Sequence, residues 1–220
     1  MRYISRVVEN VKRVRKSDLR AIYEDLSEAD CIILVGEGRS QGALFIGMGQ
    51  INKTVRTVED IDFPGRNILD AAPKLERMHR KIVVLVNSGS GETPIPKIVA
   101  QQLAEYIEKT HSEKFKIDAI VSNPDSSVGK IAKSFGSLVV LAGRENRGGG
   151  RRSKCGNEGI NDSSRNSAAD AGGVVAKDAR VEKEEGREED ILESGIMNDI
   201  YELGSLLILQ KMKECINEGE

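Results

Sequence analysis

The chain has 220 residues, 39% hydrophobic and 31% charged, with 33 Lys and Arg against 35 Asp and Glu for a net charge of −2. That length is enough for one domain with a full core plus appendages, and the balanced charge argues against nucleic acid as a main partner. Three cysteines, Cys31, Cys155 and Cys215, lie far apart with no CxxC spacing, and neither His79 nor His111 has a second ligand nearby; a reduced compartment is expected and a metal site is not.

Ile4, Val7, Val8, Val11 and Val14 recur at helical spacing between charged residues and predict an amphipathic first helix. Ser17 is expected to cap a second, whose apolar face is Leu19, Ile22, Tyr23 and Leu26. Strands and helices then alternate. Strands are predicted at Cys31 to Val35, Thr54 to Glu59, Ile82 to Val86, Ile117 to Val121 and Leu138 to Leu141. The intervening helices run from about Ser40 to Asn52, Ile68 to His79, Pro94 to Lys109 and Ser126 to Phe135. This alternation predicts a parallel α/β sandwich with helices on both faces. Four strands are nearly continuous apolar runs, whereas Thr54 to Val58 alternates polar with apolar and belongs at an edge.

From Arg144 to Asp190 the chain has no aromatic residue and few large aliphatics, running from a basic "RGGGRRSK" to an acidic "EKEEGREED". Such a composition buries too little apolar surface to offset ordering entropy, so a disordered or mobile insertion is expected, a nucleic-acid arm, a regulatory tail or a tolerated surface insertion. Apolar residues return from Ile196 to Met212, in an arc too broad for one solvent-facing helix. No apolar run reaches the roughly 18 residues of a membrane span. A cytoplasmic protein without a membrane partner is expected.

Two glycine-rich loops follow strands: "GEGRSQG" after the first and "SGSGET" after the third. In an open sheet of order 2-1-3-4-5, ligands bind where the winding reverses, outside the carboxyl ends of strands one and three, so both loops would face one crevice. Gly89 and Gly91 permit a tight backbone path, while Ser88, Ser90 and Thr93 supply hydroxyl donors. Thr93 fits the N-cap and Pro94 the N1 position of a helix whose dipole favours an anion. A simple Ser/Gly turn with an ordinary cap would read the same way. No GxxxxGK[ST] occurs, which removes the triphosphate P-loop. Gly36 and Gly38, followed by Glu59 or Asp60, approach a dinucleotide fingerprint, but Gln41 stands where its third glycine should be.

"GEGRS", "SGSGET" and "VSNPDSSVGKIAKSFGSLVVLAGR" together resemble the SIS (sugar isomerase) domain, and among its members the 6-phospho-3-hexuloisomerases. The resemblance covers roughly Ser17 to Arg144, with an echo in the last helix, and treats residues 1–220 as a single domain interrupted by the 144–190 insertion. It implies a five-stranded, flavodoxin-like parallel sheet and a sugar-phosphate ligand, with no cofactor. Carried over, Ser88, Ser90 and Thr93 would hold the phosphate in a loop that includes Asn87, Gly89 and Gly91. Gly38 and Ser40 would contribute from the first loop, and Arg39 would either meet the sugar or pair with a neighbouring carboxylate. The resemblance also implies a homo-oligomer, dimer or tetramer, and the apolar flanking helices agree with it.

Moving a carbonyl between adjacent carbons through an enediol needs a base, and a carboxylate shielded from water suits the task. Glu202, in "NDIYELGSLLIL", resembles the glutamate that opens the final helix of the hexuloisomerases; it reads equally as a solvated helix residue. Glu92 is a second candidate, although a helix N-terminus lowers a carboxyl pKa. Both histidines precede strands and should lie at the far end of the sheet. Three functions follow as expectations: a phosphosugar isomerase, a non-catalytic phosphosugar sensor, and a dinucleotide-dependent enzyme.

Overall fold

Seven residues of β3, Ile82–Ser88, are buried on both faces, and the rest of the sheet is ordered around that strand. The computed structural model describes residues 2–60, 63–65, 67–142 and 200–219; the expected 144–190 insertion and Cys155 lie outside them. Five parallel strands, β1 (Cys31–Gly36), β2 (Thr54–Thr57), β3, β4 (Phe115–Val121) and β5 (Leu138–Val140), take the order β2-β1-β3-β4-β5. The alternating strand β2 is at the edge, as its pattern requires.

Helices α1 (Arg2–Lys12), α2 (Lys16–Glu28), α3 (Arg39–Met48), α4 (Ile68–Met78), α5 (Pro94–Thr110) and α6 (Ser127–Phe135) connect or flank the strands, and α7 occupies residues 200–218. One core packs α4, α5 and α6 on the face of Ile33, Val84 and Ile117. The other packs α2, α3 and α7 on the face of Ile32, Val83, Leu85 and Ile120. Tyr201, Ile208, Leu209 and Met212 of α7 are buried in this second core. Full burial of such side chains stabilises by about 1.5–3 kcal/mol each, which holds α7 against the sheet.

Helices α3 and α7 lie side by side and run the same way. A Cβ on Gly47 would come within 2.6 Å of Leu209 Cβ, so only glycine permits this approach. Nearer the helix ends, Asn217 Nδ2 donates to the Gln50 carbonyl at 3.1 Å and its Oδ1 accepts from Asn52 N at 2.9 Å.

Several boundaries differ from expectation for local reasons. Helix α2 begins at Lys16 with Arg15 as N-cap, so Ser17 is inside the helix rather than its cap, and Arg15 bonds Asp18 at 2.9 Å. Helix α3 stops at Met48 because Gln50 takes φ 64° and its turn is fastened to Asn217. Strand β2 ends at Thr57, whose N–H and hydroxyl both go to the Asp60 carboxylate, at 2.7 and 2.9 Å. Strand β3 runs two residues further than its apolar stretch, because Asn87 pairs in register with Gly36 and Ser88 with Val121. Cys31 is buried at the start of β1, where burial pushes its thiol up to about 11. No helix among the described residues is long and apolar enough to cross a membrane.

A polar cluster interrupts the second core between α2 and β4. Lys116 pairs with Asp25, Ser137 Oγ donates to Asp25 Oδ2 at 2.8 Å, and Ser137 N donates to Asp118 Oδ1 at 2.8 Å. Asp118 is fully buried, and its Oδ2 has no hydrogen-bond partner among the described residues. Burial pushes this carboxyl up from 3.8 to about 8 against the opposing Ser137 donation. The folded pKa lies above the unfolded one, so stability is fullest below the unfolded value and drains away as pH rises toward the folded value. Asp118→Asn, which keeps the acceptor for Ser137, is expected to gain stability over the parent by up to about 1.4 kcal/mol per pH unit between pH ~4 and ~8, then level off. Urea unfolding of both proteins across that range would measure it; a difference independent of pH would refute the assignment.

Candidate functional site

The loops after β1 and β3 sit side by side because β1 and β3 pair along their length, from Cys31 with Ile82 to Gly36 with Asn87. Beyond β1 the chain returns to β2 on one side, and β3 lies on the other, so the crevice is at the reversal of winding.

The first loop enters α3 through Gly38, at φ 59° and ψ −125°, a backbone conformation open to glycine and closed to almost every other residue. No side chain caps the helix, Arg39 is exposed at its first position, and Ser40 is buried. Gln41 Nε2 donates to Glu59 Oε2 at 3.0 Å. Glu59 and Asp60, the carboxylates a dinucleotide ribose would require, therefore hold Gln41 and Thr57 instead.

The second loop gathers its three hydroxyls on one point. Ser88 Oγ lies 3.0 Å and Ser90 Oγ 3.3 Å from Thr93 Oγ1. Ser88 Oγ also accepts from Gly91 N, and Ser90 Oγ from Glu92 N, each at 3.2 Å. Gly91 takes φ 67°, and a Cβ there would fall 2.0 Å from Ser126 Oγ, so the loop needs glycine for conformation and for space. Gly89 is buried and its carbonyl accepts from Ser122 N at 2.9 Å, anchoring the loop to the end of β4.

Thr93 is the N-cap of α5, and its side chain makes no cap hydrogen bond. Pro94 and Pro96 remove two of the N–H groups that the first turn would normally present. An anion here would depend on hydroxyls more than on helix amides.

Glu92, expected as a possible base, is a brace. Its carboxylate accepts from Lys97 Nζ at 2.7 Å, Ser127 N at 2.6 Å and Ser127 Oγ at 3.0 Å. The Lys97 contact first, then the Ser127 N–H, hold its pKa down to about 2. A carboxylate held that low is a poor proton acceptor near neutrality, and the contacts tie α5 to the start of α6. Ser126 and Ser127 support the loop, and the sequence pattern did not single them out. Their signal was Ser126 followed by Gly129, whose N–H the Ser126 hydroxyl accepts at 3.2 Å as an N-cap.

Asn87 is fully buried behind the loop rather than facing the crevice. Its Nδ2 donates to the Ser40 carbonyl at 3.0 Å and to Ser205 Oγ at 3.2 Å, and its Oδ1 accepts from Tyr201 at 2.6 Å. Both N–H groups of the amide are thus used inside the protein. The Tyr201 hydroxyl is also 2.6 Å from the Ile120 carbonyl, so α7 is fastened to the ends of both β3 and β4.

Glu202 follows Tyr201 and is 7% exposed. Ser205 and Leu209 continue its stripe of α7 at i+3 and i+7. Leu209 rests on Gly47 of α3, and Ser205 on Asn87, which holds Ser40. Since the two helices are parallel, Glu202 comes level with the N-terminal end of α3, where the first loop enters. The histidines are elsewhere: His79 caps the end of α4 and His111 the end of α5, both just before strands begin. His79 Nδ1 lies 4.0 Å from Asp30.

No protein-family profile and no curated protein sequence matches the chain. Solved structures do. The NanR protein of Vibrio vulnificus, complexed with ManNAc-6P, matches with a TM-score of 0.57 at 14% identity, over 99% of this chain and 60% of its own. Phosphoheptose isomerase from Neisseria gonorrhoeae matches with a TM-score of 0.50 at 10% identity, over 97% of this chain and 92% of its own. A phosphoheptose isomerase from Francisella tularensis does so at 0.50 and 9%, over 98% and 92%. What the chain shares with them is the fold, here a five-stranded parallel sheet of order 2-1-3-4-5 in a flavodoxin-like arrangement.

Proposed function

We propose that the chain binds a sugar phosphate and moves its carbonyl between adjacent carbons through an enediol, in the manner of the 6-phospho-3-hexuloisomerases. The observation that carries this reading is the convergence of the Ser88 and Ser90 hydroxyls on Thr93, at 3.0 and 3.3 Å, at the winding reversal, with α7, which carries the buried Glu202, tied to the adjoining Asn87. The fold shared with phosphoheptose isomerases and with a protein holding ManNAc-6P supports it.

The phosphate would replace Thr93 Oγ1 as the common partner of the Ser88 and Ser90 hydroxyls, with Gly89 and Gly91 allowing the loop to wrap it. Gly38, Arg39 and Ser40 would border the sugar. The Glu202 carboxylate would take the proton from the carbon next to the carbonyl, leaving an enediol, and return it to the neighbouring carbon as the hydroxyl proton passes the other way. Glu92 takes no part beyond fixing α5 to α6.

Hydrogen bonds from a neutral donor to a charged group contribute about 1.5–3 kcal/mol. Replacing Ser88 or Ser90 with Ala should therefore weaken fructose 6-phosphate binding about 10- to 100-fold per hydroxyl. Calorimetric titration measures this, and unchanged affinity in the double variant would remove the phosphate from the loop. Glu202→Gln should lower kcat by about 100- to 10,000-fold while leaving affinity within a few-fold. Interconversion of 6-phospho-3-hexulose and fructose 6-phosphate, followed by NMR, is the assay; equal turnover by the variant would dismiss Glu202 as the base.

The second reading is a phosphosugar sensor without turnover. The distance of both histidines from the crevice favours it, since no imidazole of this protomer can assist ring opening. It predicts the same binding losses and no interconversion by the parent protein.

Assembly belongs to the proposal as well. Ile4 and Val8 on α1 and Leu203 and Leu207 on α7 are exposed, more apolar surface than two helices of a monomer ordinarily show water. Light scattering at micromolar concentration should give a dimer or tetramer, and a monomer would overturn it.

A further inference from the structure

Asn87, Tyr201 and Ser205 are all 0% exposed, and they form the polar centre of a junction otherwise made of aliphatic side chains. Apolar burial holds α7 against the sheet but is non-directional, so it leaves the helix free to slide or turn. A shift of one residue moves a side chain about 1.5 Å along the axis and turns it about 100° around it. Hydrogen bonds remove that freedom because a buried polar group that loses its partner is penalised. Here the Tyr201 oxygen meets Asn87 Oδ1 and the Ile120 carbonyl, both at 2.6 Å, and Asn87 reaches Ser205 and Ser40. Elements α3, β3, β4 and α7 are thereby fixed to one another at a single place. Glu202 is the residue next to Tyr201, and Ser205 also donates to the Glu202 carbonyl at 3.0 Å.

Resting on the isomerase reading above, we infer that Tyr201 is a positioning residue: its hydroxyl, acting through Asn87 and Ser205, sets the register of α7 so that Glu202 is held over the reacting carbons. The phosphate loop does not depend on it. Ser88, Ser90, Gly91 and Thr93 bond to each other and to α6, without passing through Tyr201. Tyr201 therefore affects proton transfer and leaves substrate binding alone, because proton transfer tolerates far less misplacement than anion binding does.

Tyr201→Phe keeps the ring in its pocket and deletes only the tie. With turnover and binding of fructose 6-phosphate measured on the parent and on the variant, kcat should fall about 10- to 100-fold while Kd and KM stay within about 3-fold. Ser205→Ala, a smaller change to the same junction, should move kcat in the same direction by about 3- to 10-fold and serves if Tyr201→Phe does not fold by circular dichroism. A kcat equal to that of the parent would overturn the assignment, and so would a raised KM at unchanged kcat, which would assign the tie to the phosphate loop. A parent protein that binds the sugar phosphate without turning it over would end the isomerase reading itself, and this outcome is seen before any variant is made.

Discussion

The amide of Asn87 is the constraint from which the site follows. It is the last but one residue of β3, buried on all sides, and it must find partners for two N–H groups and a carbonyl in a region where every other neighbour is apolar. The partners come from three places: the first turn of α3, and Tyr201 and Ser205 more than a hundred residues further along the chain. Satisfying this one side chain brings the start of α3 and the start of α7 to the end of β3. The loop with the converging hydroxyls begins at the next residue.

That loop departs from the usual helix N-terminal anion site. Two prolines in the first turn of α5 take away amide donors while fixing the backbone in helical conformation. What remains is a cluster of hydroxyls, whose dipoles can turn, held on a backbone that Gly91 and Ser126 lock by close contact. Hydroxyls bond to each other when nothing else is present and can turn toward an anion. The Glu92 brace then fastens the loop, because its carboxylate meets both a lysine and the N-terminus of α6.

How much of this was legible in the sequence depends on the kind of interaction. The apolar runs of β1 and β3 and the alternation of β2 gave strand order and edge position, since burial on one face or two is written directly in the side-chain pattern. The hydroxyl cluster was legible too, because Ser-x-Ser-Gly-x-Thr puts three hydroxyls on one short turn after a strand. Asn87 was read with the ligand loop because polarity at a strand end does not reveal which way a side chain faces. The ends of β2 and α3 depend on Asp60 and Asn217, tertiary hydrogen bonds with no local signature. Ser17 failed as a cap for a related reason, since Lys16 already has the helical turn that a capping serine was expected to open. The cluster of Asp25, Lys116, Asp118 and Ser137 joins α2, β4 and the loop before β5, and nothing in the spacing of those residues announces it.

The buried polar groups on α7 do something that its apolar face does not. A helix held only by Ile208, Leu209 and Met212 would be stable, and Gly47 would still let it approach α3. It would not be unique in register, because aliphatic contacts score neighbouring registers almost alike. Replacing one apolar position by a tyrosine with two acceptors, and another by a serine under an asparagine, adds little net stability, since each such bond contributes only about 1 kcal/mol. Every alternative register, however, strands several buried polar atoms at once, and each stranded atom costs about 1–3 kcal/mol. The junction therefore discriminates between arrangements by more than it stabilises the correct one, the property that the proposed role of Glu202 as a base would require.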